Sequence, residues 1–314
     1  MRILFTGSSS FTGYWFINQL VNSGNKVTAI FTKNSKDDYS GIRKLRVEKI
    51  IDKAVSLFDV SFGSGKFLEI IASEKFDLIC HHGADVTNYK SLEFDVGTAF
   101  NKNTFNIVKV LELMRESNSK LVLTGSVFEG NEGFGKNNTL PFSPYGLSKQ
   151  FTSEAFNYYC NLLGVPVGKF VISNPFGPFE EERFTTYLVK SWLRGEKPVI
   201  KTPLYIRDNI HISLLAFCYI KFCNEFSNSN IQYYKINPSG YVESQGQFTK
   251  RFAEEISKRL NITPSFELLK QTEFAEPLVR INNDPAAELF KDWSESEAWD
   301  QLAEYYKLFF MQNE

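Results

Sequence analysis

The chain has 314 residues, 43% hydrophobic and 23% charged, enough to bury a large core with length to spare for a second lobe, which excludes a disordered chain. Its 35 basic and 36 acidic residues leave a formal net charge of -1, which excludes the long-range field that nucleic acid or an anionic membrane would need, so a small molecule is the expected partner. Cys80, Cys160, Cys218 and Cys223 form no C-x-x-C pair and no metal-ligand spacing, which points to buried thiols in a reducing cytoplasm and to no metal site.

The N-terminus opens directly on a strand-like "RILFTG", and no apolar run approaches ~18 residues, so neither a targeting segment nor a membrane span is expected. Strand-length apolar runs then alternate with helix-period segments: "RILF", "FTGYWFINQLVNSG", "KVTAIF", "FDLIC", "FNIVKVLELMRE" and "KLVLTG". That rhythm predicts an α/β fold of Rossmann type, a doubly wound parallel sheet covered by helices. From about Pro175 onward, prolines punctuate short irregular elements, which predicts a smaller C-terminal α/β substrate lobe. The expected division is 1–175 for the dinucleotide-binding domain and 176–314 mainly for the lobe, with the segment from about 205 to 236 returning to the first domain. No fixed-period repeat is present, and the 30 Phe residues are read as core.

In "TGSSSFTG" a strand ends at Thr6, a glycine turn follows and a helix starts near Phe11, which aims backbone N–H groups and a positive helix end at a pyrophosphate. Gly7 permits the tight turn and Gly13 the close packing of helix on strand. Ser10 stands where a third glycine is usual, and it is small enough, with a hydroxyl donor, to approach a phosphate. A plain structural loop has the same spacing. After the second strand, Phe31 holds the place of the acid that would bind the ribose hydroxyls of NAD. Thr32 and Lys33 follow it and suit a 2′-phosphate, which favours NADP over NAD. A solvated lysine in an ordinary loop is the alternative.

In "SPYGLSKQFTSEAF", Tyr145 and Lys149 lie four residues apart on one helical face. An ammonium beside a phenol moves its pKa from near 10 toward the working range, which is what reversible hydride transfer at an alcohol or ketone needs. Upstream, "KLVLTGSVFEG" ends a strand near Thr124 and offers Ser126 at the carboxyl edge of the sheet, where a hydroxyl could align a reacting oxygen or merely cap a turn.

These motifs, with "LFDV", "DLICHHGAD", "NTFNIVKVLE", "ISNPFGP" and "YIRDNIHI" in the same order, resemble the extended short-chain dehydrogenase/reductase family over most of the chain, in particular its nucleotide-sugar epimerase, dehydratase and 4-ketoreductase branch. The resemblance implies Tyr145 as catalytic acid/base, Lys149 as the ribose-holding residue that lowers its pKa, Ser126 as the donor to the sugar oxygen and Asn103 as support of the proton relay. It places Asp59 and Val60 about the adenine, His81, Gly83 and Ala84 along the cofactor crevice, and Asn174 and Arg207 on the sugar nucleotide, Arg207 through its diphosphate. His82 and His211 are read as structural. The resemblance also implies a homodimer built from the helices of "NIVKVLELM" and "SKQFTSEAFNYYCNLL".

Three reactions share this apparatus. A 4,6-dehydratase needs an acid and a base directly after the serine, and Val127 and Phe128 can do neither, while Glu129 is expected to point elsewhere. Lys33 and the missing acid favour an NADPH-dependent reductase of a nucleotide-activated 4-keto, 6-deoxy sugar in cell-surface glycan synthesis, ahead of an NAD-dependent nucleotide-sugar 4-epimerase. A non-catalytic NADP(H) sensor would have no need of the Tyr145 and Lys149 pair.

Overall fold

The computed structural model describes residues 1–133, 140–289 and 292–311. In chain order the principal elements are β1 (Arg2–Phe5), α1 (Phe11–Asn22), β2 (Lys26–Ile30), α2 (Gly41–Ile51), β3 (Val55–Leu57), α3 (Gly65–Ser73), β4 (Leu78–His81), α4 (Val96–Asn103), α5 (Ile107–Ser117), β5 (Lys120–Ser126), α6 (Pro144–Leu163) and β6 (Val167–Ile172). They continue as β7 (Asn174–Phe176), α7 (Phe184–Leu193), β8 (Val199–Ile200), β9 (Ile206–His211), α8 (Ile212–Asn228) and β10 (Tyr233–Ile236). Two compact units result: residues 1–133, 140–172 and 216–237 form the first, and 173–215 with the described part of 238–311 the second.

The first unit is built on one parallel sheet of seven strands in the order β10-β6-β5-β4-β1-β2-β3. Its central strands are apolar without alternation, "LICH" of β4 being buried at every position, as strands covered on both faces must be. The order reverses between β1 and β4, and that reversal opens a crevice at the carboxyl ends of these two strands. One side of the sheet rests on a core that includes Leu4, Ile79, Leu121, Val110, Met114 and Phe156. On the other, Phe16 stacks on Tyr219 at 4.0 Å between ring centroids.

Two boundaries differ from the expected ones. Strand β5 does not stop at Thr124 but stays paired with β6 through Ser126, opposite Ile172, so Ser126 is the last residue of the strand. The helix read from Phe105 starts at Ile107, because Asn106 is left-handed (φ 53°) and its side chain donates to Gly63 O at 2.8 Å. Such a residue cannot continue a right-handed helix.

In the second unit β9 is central. It pairs in parallel with β7 and with the short strand Val279–Arg280, and antiparallel with Tyr241–Ser244. Phe176 packs there against Phe248, Trp299 and Tyr241, so phenylalanines serve as core. All four cysteines are free and buried, and burial pushes the Cys160 and Cys218 thiols up to about 12. Among the described residues no helix is long and apolar enough to cross a membrane, and no group of three His, Cys, Asp or Glu could hold a metal ion.

Candidate active site

The glycine turn closes on the loop after β4. Gly7 has φ +72°, and a Cβ there would lie 2.7 Å from Gly83 N, so no side chain fits between the two loops. A Cβ on Gly13 would lie 2.4 Å from Gly7 O, which enforces the close packing of α1 expected of this position. Ser10 is the N-cap of α1. Its hydroxyl donates to Gly7 O at 2.8 Å and accepts from Gly13 N at 3.0 Å. That hydroxyl is therefore turned inward as a cap and stitches the turn, while the N–H groups of Phe11 and Thr12, which no helical turn can satisfy, remain at the positive end of α1. From beneath, the fully buried Arg46 of α2 donates its Nε–H to Ser9 O at 3.1 Å. This cradle fits a pyrophosphate.

Two histidines, His81 at the end of β4 and His82 just after it, tie the turn to the middle of the sheet. His81 donates from Nε2 to Asn103 O at 2.9 Å, and its Nδ1 accepts from Thr6 Oγ1, which itself accepts from Gly83 N. His82 donates from Nε2 toward Thr12 Oγ1 and Ser10 Oγ at 2.9 and 3.1 Å, and its Nδ1 accepts from Thr124 Oγ1 at 2.9 Å. Burial, reinforced by the nearby Lys149 charge, holds both imidazoles down at about 3, so both are neutral at physiological pH. His82 is thus a structural member of the turn's own network, and His81 is buried against Phe62.

Helix α6 begins at Ser143, whose hydroxyl accepts from Gly146 N at 3.1 Å, with Pro144 in the first turn, and this cap places Tyr145 and Lys149 one turn apart at the sheet's carboxyl edge. Lys149 is buried and donates to Thr124 O at 2.6 Å. Burial lowers its pKa, opposed by the Glu129 carboxylate. Tyr145 sits in a collar of rings, edge-on to Tyr89, Phe94 and Phe128 at 5.7 to 6.2 Å. Ser126 Oγ accepts from Phe128 N at 3.2 Å, an arrangement that leaves the hydroxyl hydrogen to be donated to a substrate oxygen. Asn103 receives Asp85 N on its side-chain oxygen at 3.1 Å and donates to Thr152 Oγ1 at 3.3 Å.

Val60 is buried in the core and Asp59 pairs with Lys66 at the surface. Phe31, also buried, stacks on Phe58, whereas Thr32 and Lys33 are exposed. Lys33 Nζ donates to Asp38 O and lies 5.1 Å from the centre of the Tyr39 ring. Gly83 and Ala84 follow β4 and are half-buried. Asn174 opens β7 in the second unit, paired in register with Asn209. Arg207 in β9 is almost fully buried, donates to Glu276 at 2.7 Å and to the carbonyls of Ile206, Pro277 and Leu278, and stacks on Tyr205. The second unit also buries His211 beside Ser213.

A family model for the "NAD dependent epimerase/dehydratase family" matches residues 3–236. The chain belongs to this family. A Methanocaldococcus jannaschii protein provisionally named UDP-glucose 4-epimerase is 24% identical over 237 residues, 68% of this chain and 72% of that protein. The UDP-glucose 4-epimerase of Thermotoga maritima, solved with UDP-glucose, superposes with a TM-score of 0.72 at 18% identity over 98% of this chain and 99% of that one. That of Stenotrophomonas maltophila, solved with NAD and formylated UDP-arabinopyranose, gives 0.76 at 13% identity over 100% and 99%. The family model sets this chain among the NAD-dependent epimerases and dehydratases, and the superposed structures share the Rossmann-like α/β fold that the motif series implied.

Sequence reading missed Arg46, Glu129 and the His82 network. Arg46 lies in "GIRKLRVEKI", where charges at helical spacing read as a solvated face. A signal existed for Glu129 in Gly125, where a Cβ would come 2.7 Å from Lys169 Cε and 3.2 Å from Glu129 Oε1.

Proposed function

We propose that this protein carries out oxidation and reduction at the C4 position of the sugar in a nucleotide sugar, with Tyr145 as acid/base, Lys149 as the cation that stabilises its phenolate and Ser126 as the donor to the reacting oxygen. The carrying observation is the gathering of Ser126, Tyr145 and Lys149 at the carboxyl edge of β5, with Lys149 fixed on Thr124 O, in the unit that also holds the glycine turn. A bound nicotinamide dinucleotide would supply and recover the hydride. The turn with the N–H groups of Phe11 and Thr12 would take its pyrophosphate.

The likeness to 4-epimerases supports epimerisation with retained NAD. A specific observation favours the second reading, NADPH-dependent reduction of a 4-keto-6-deoxy sugar: the place of the ribose-binding acid is taken by the buried Phe31, with Thr32 and Lys33 exposed beside it. Incubating the purified protein with UDP-, dTDP-, CDP- and GDP-sugars and following C4 configuration by proton NMR tests the proposal. Interconversion without net cofactor change supports the epimerase, stoichiometric NADPH consumption the reductase, and no change in any sugar overturns both.

A further inference from the structure

A row of largely buried ion pairs, Glu129 with Lys169, Lys169 with Glu132 and Glu132 with Lys235, lies behind β5. Glu129, on the turn after β5, is 1% exposed, and the protein supplies partners to both of its oxygens. Oε1 accepts the backbone N–H of Ser126 at 2.8 Å. Oε2 accepts the hydroxyl of Ser153 at 2.8 Å and the ammonium of Lys169 at 2.6 Å. Ser153 lies on α6 at four residues from Lys149 and eight from Tyr145, so the three share one helical face. One buried carboxylate therefore ties the helix that carries the phenol and ammonium to the strand end that carries the serine.

A carboxylate used only to brace a turn would be replaceable by a neutral acceptor, because burying an ion pair costs several kcal/mol that packing alone would not incur. Here the charge is maintained at depth. Behind Glu129, Lys169 of β6 is also bound by Glu132 at 2.8 Å, and Glu132 in turn by Lys235 of β10 at 2.8 Å. Gly125 is the residue that lets this row lie against β5. Around Lys149, the titratable groups among the described residues are the neutral His81 at the end of β4 and His82 just after it, the cation Lys169 of β6, Tyr145 on its own helix and the Glu129 anion. Glu129 is the anion of that set.

We infer that Glu129 is a positioning residue of the active site, which sets the backbone of Ser126 and supplies the counter-charge that keeps Lys149 an ammonium next to Tyr145. The inference rests on the proposed chemistry for its kinetic test and on cluster geometry for its direct one. Removing one negative charge lowers the pKa of every group near it, so in Glu129→Gln both limbs of the pH–kcat profile should move to lower pH by ~1 unit. Turnover at neutral pH should drop ~10-fold with KM nearly unchanged, since the affected interaction serves the transition state. Glu129→Asp should restore the wild-type pH profile even at reduced rate. Ser153→Ala, which loosens α6 without removing charge, should lower kcat without moving the profile and provides the test should Glu129→Gln fail to fold.

The direct test needs no turnover. Titration of the Lys149 ε-carbon by NMR in cofactor-free protein should show its pKa lower by ~1 unit in Glu129→Gln than in wild type. If wild type turns over no sugar nucleotide while the Lys149 titration moves as stated, the reaction assignment fails and the role of Glu129 stands. An unmoved Lys149 titration, or a Ser153→Ala variant with unaltered kcat, overturns the inference.

Discussion

Thr124 donates its hydroxyl to His82 Nδ1 at 2.9 Å while its carbonyl accepts from Lys149, so one residue joins the histidine beneath the glycine turn to the lysine of the proposed catalytic pair. The chain of bonds continues from His82 Nε2 to Thr12 and Ser10 in the turn itself. His82→Leu leaves the buried Thr124 hydroxyl without its acceptor, at a cost of ~1–3 kcal/mol in stability, and removes the donor shared by the half-buried Thr12 and Ser10. Dinucleotide affinity should weaken with it, because the turn is held from below by that ring. Denaturant unfolding with and without cofactor checks both, and a variant as stable as wild type would show the bridge to be incidental.

Tyr145 and Lys149 should behave as one unit for proton transfer. Tyr145→Phe removes the transferable proton without disturbing the ring collar of Tyr89, Phe94 and Phe128, so turnover should fall ~100-fold or more with cofactor affinity little changed. Lys149→Met should lower turnover comparably and, if Lys149 holds the nicotinamide ribose as proposed, weaken cofactor binding in addition. Steady-state rates with fluorescence titration of the dinucleotide separate the two, and retained turnover in Tyr145→Phe would sink the assignment.

Acid should unfold the protein early. All three histidines, His81, His82 and His211, are buried and held down at about 3 from an ordinary value of 6.5. Between those values the unfolded chain binds protons that the fold refuses, so this contribution to stability is complete above pH 6.5 and declines as pH falls toward 3. At pH 5 the loss is ~2 kcal/mol for each histidine, a large share of the 5–15 kcal/mol typical of a native domain. Urea midpoints measured from pH 7.5 to 4.5 should fall steadily below pH 6.5. Glu180, which burial raises to about 7, holds a proton in the fold over the same range and offsets one histidine, so in His211→Gln the slope should be reduced by roughly one half, and an unchanged slope would remove His211 from the account.

The first unit was legible because its signals are local and repeated. Continuous apolar strands fix a parallel sheet, and "TGSSSFTG" and "SPYGLSK" carry their own caps in Ser10 and Ser143. The buried ion pairs were not legible, because Glu129 meets Lys169 only through β5 and β6 being neighbours, a separation of 40 residues in sequence. For the same reason Arg207 could be read as a phosphate ligand but not as the partner of Glu276, which lies 69 residues on. Ser10 shows the limit of reasoning from residue type, since its hydroxyl is consumed by the cap.

The outer faces of α5 and α6 expose Val108, Phe151, Tyr158 and Leu162, with Tyr158 and Leu162 more than 60% accessible. An apolar surface of this kind on two neighbouring helices suits a two-fold interface between copies of the chain. Light scattering at micromolar concentration should give about twice the 36.1 kDa chain mass, and Leu162→Asp with Tyr158→Asp should return it to one chain without loss of secondary structure. A wild-type particle of single mass would refute the dimer.

Cofactor choice separates the two readings of the reaction and turns on the loop after β2. Lys33 is exposed and already leans on the Tyr39 ring with its ammonium on Asp38 O, so its charge is held near the end of the strand where a ribose 2′ substituent would lie. If it pairs with a 2′-phosphate, NADPH should bind more tightly than NADH by ~1–2 kcal/mol, the scale of one charge-assisted contact at a partly exposed site. Lys33→Ala should erase most of that preference and leave NADH binding almost unchanged, because the lysine has no partner on the unphosphorylated ribose. Replacing Phe31 by Asp would bury a charge against Phe58 and destabilise the loop, so Lys33 is the cleaner probe. Isothermal titration with both cofactors decides the matter. A reductase must release its dinucleotide in every cycle and should be purified nearly free of it, whereas protein that carries stoichiometric NAD and shows no preference for NADPH would exclude the reductase and leave epimerisation as the chemistry of this site.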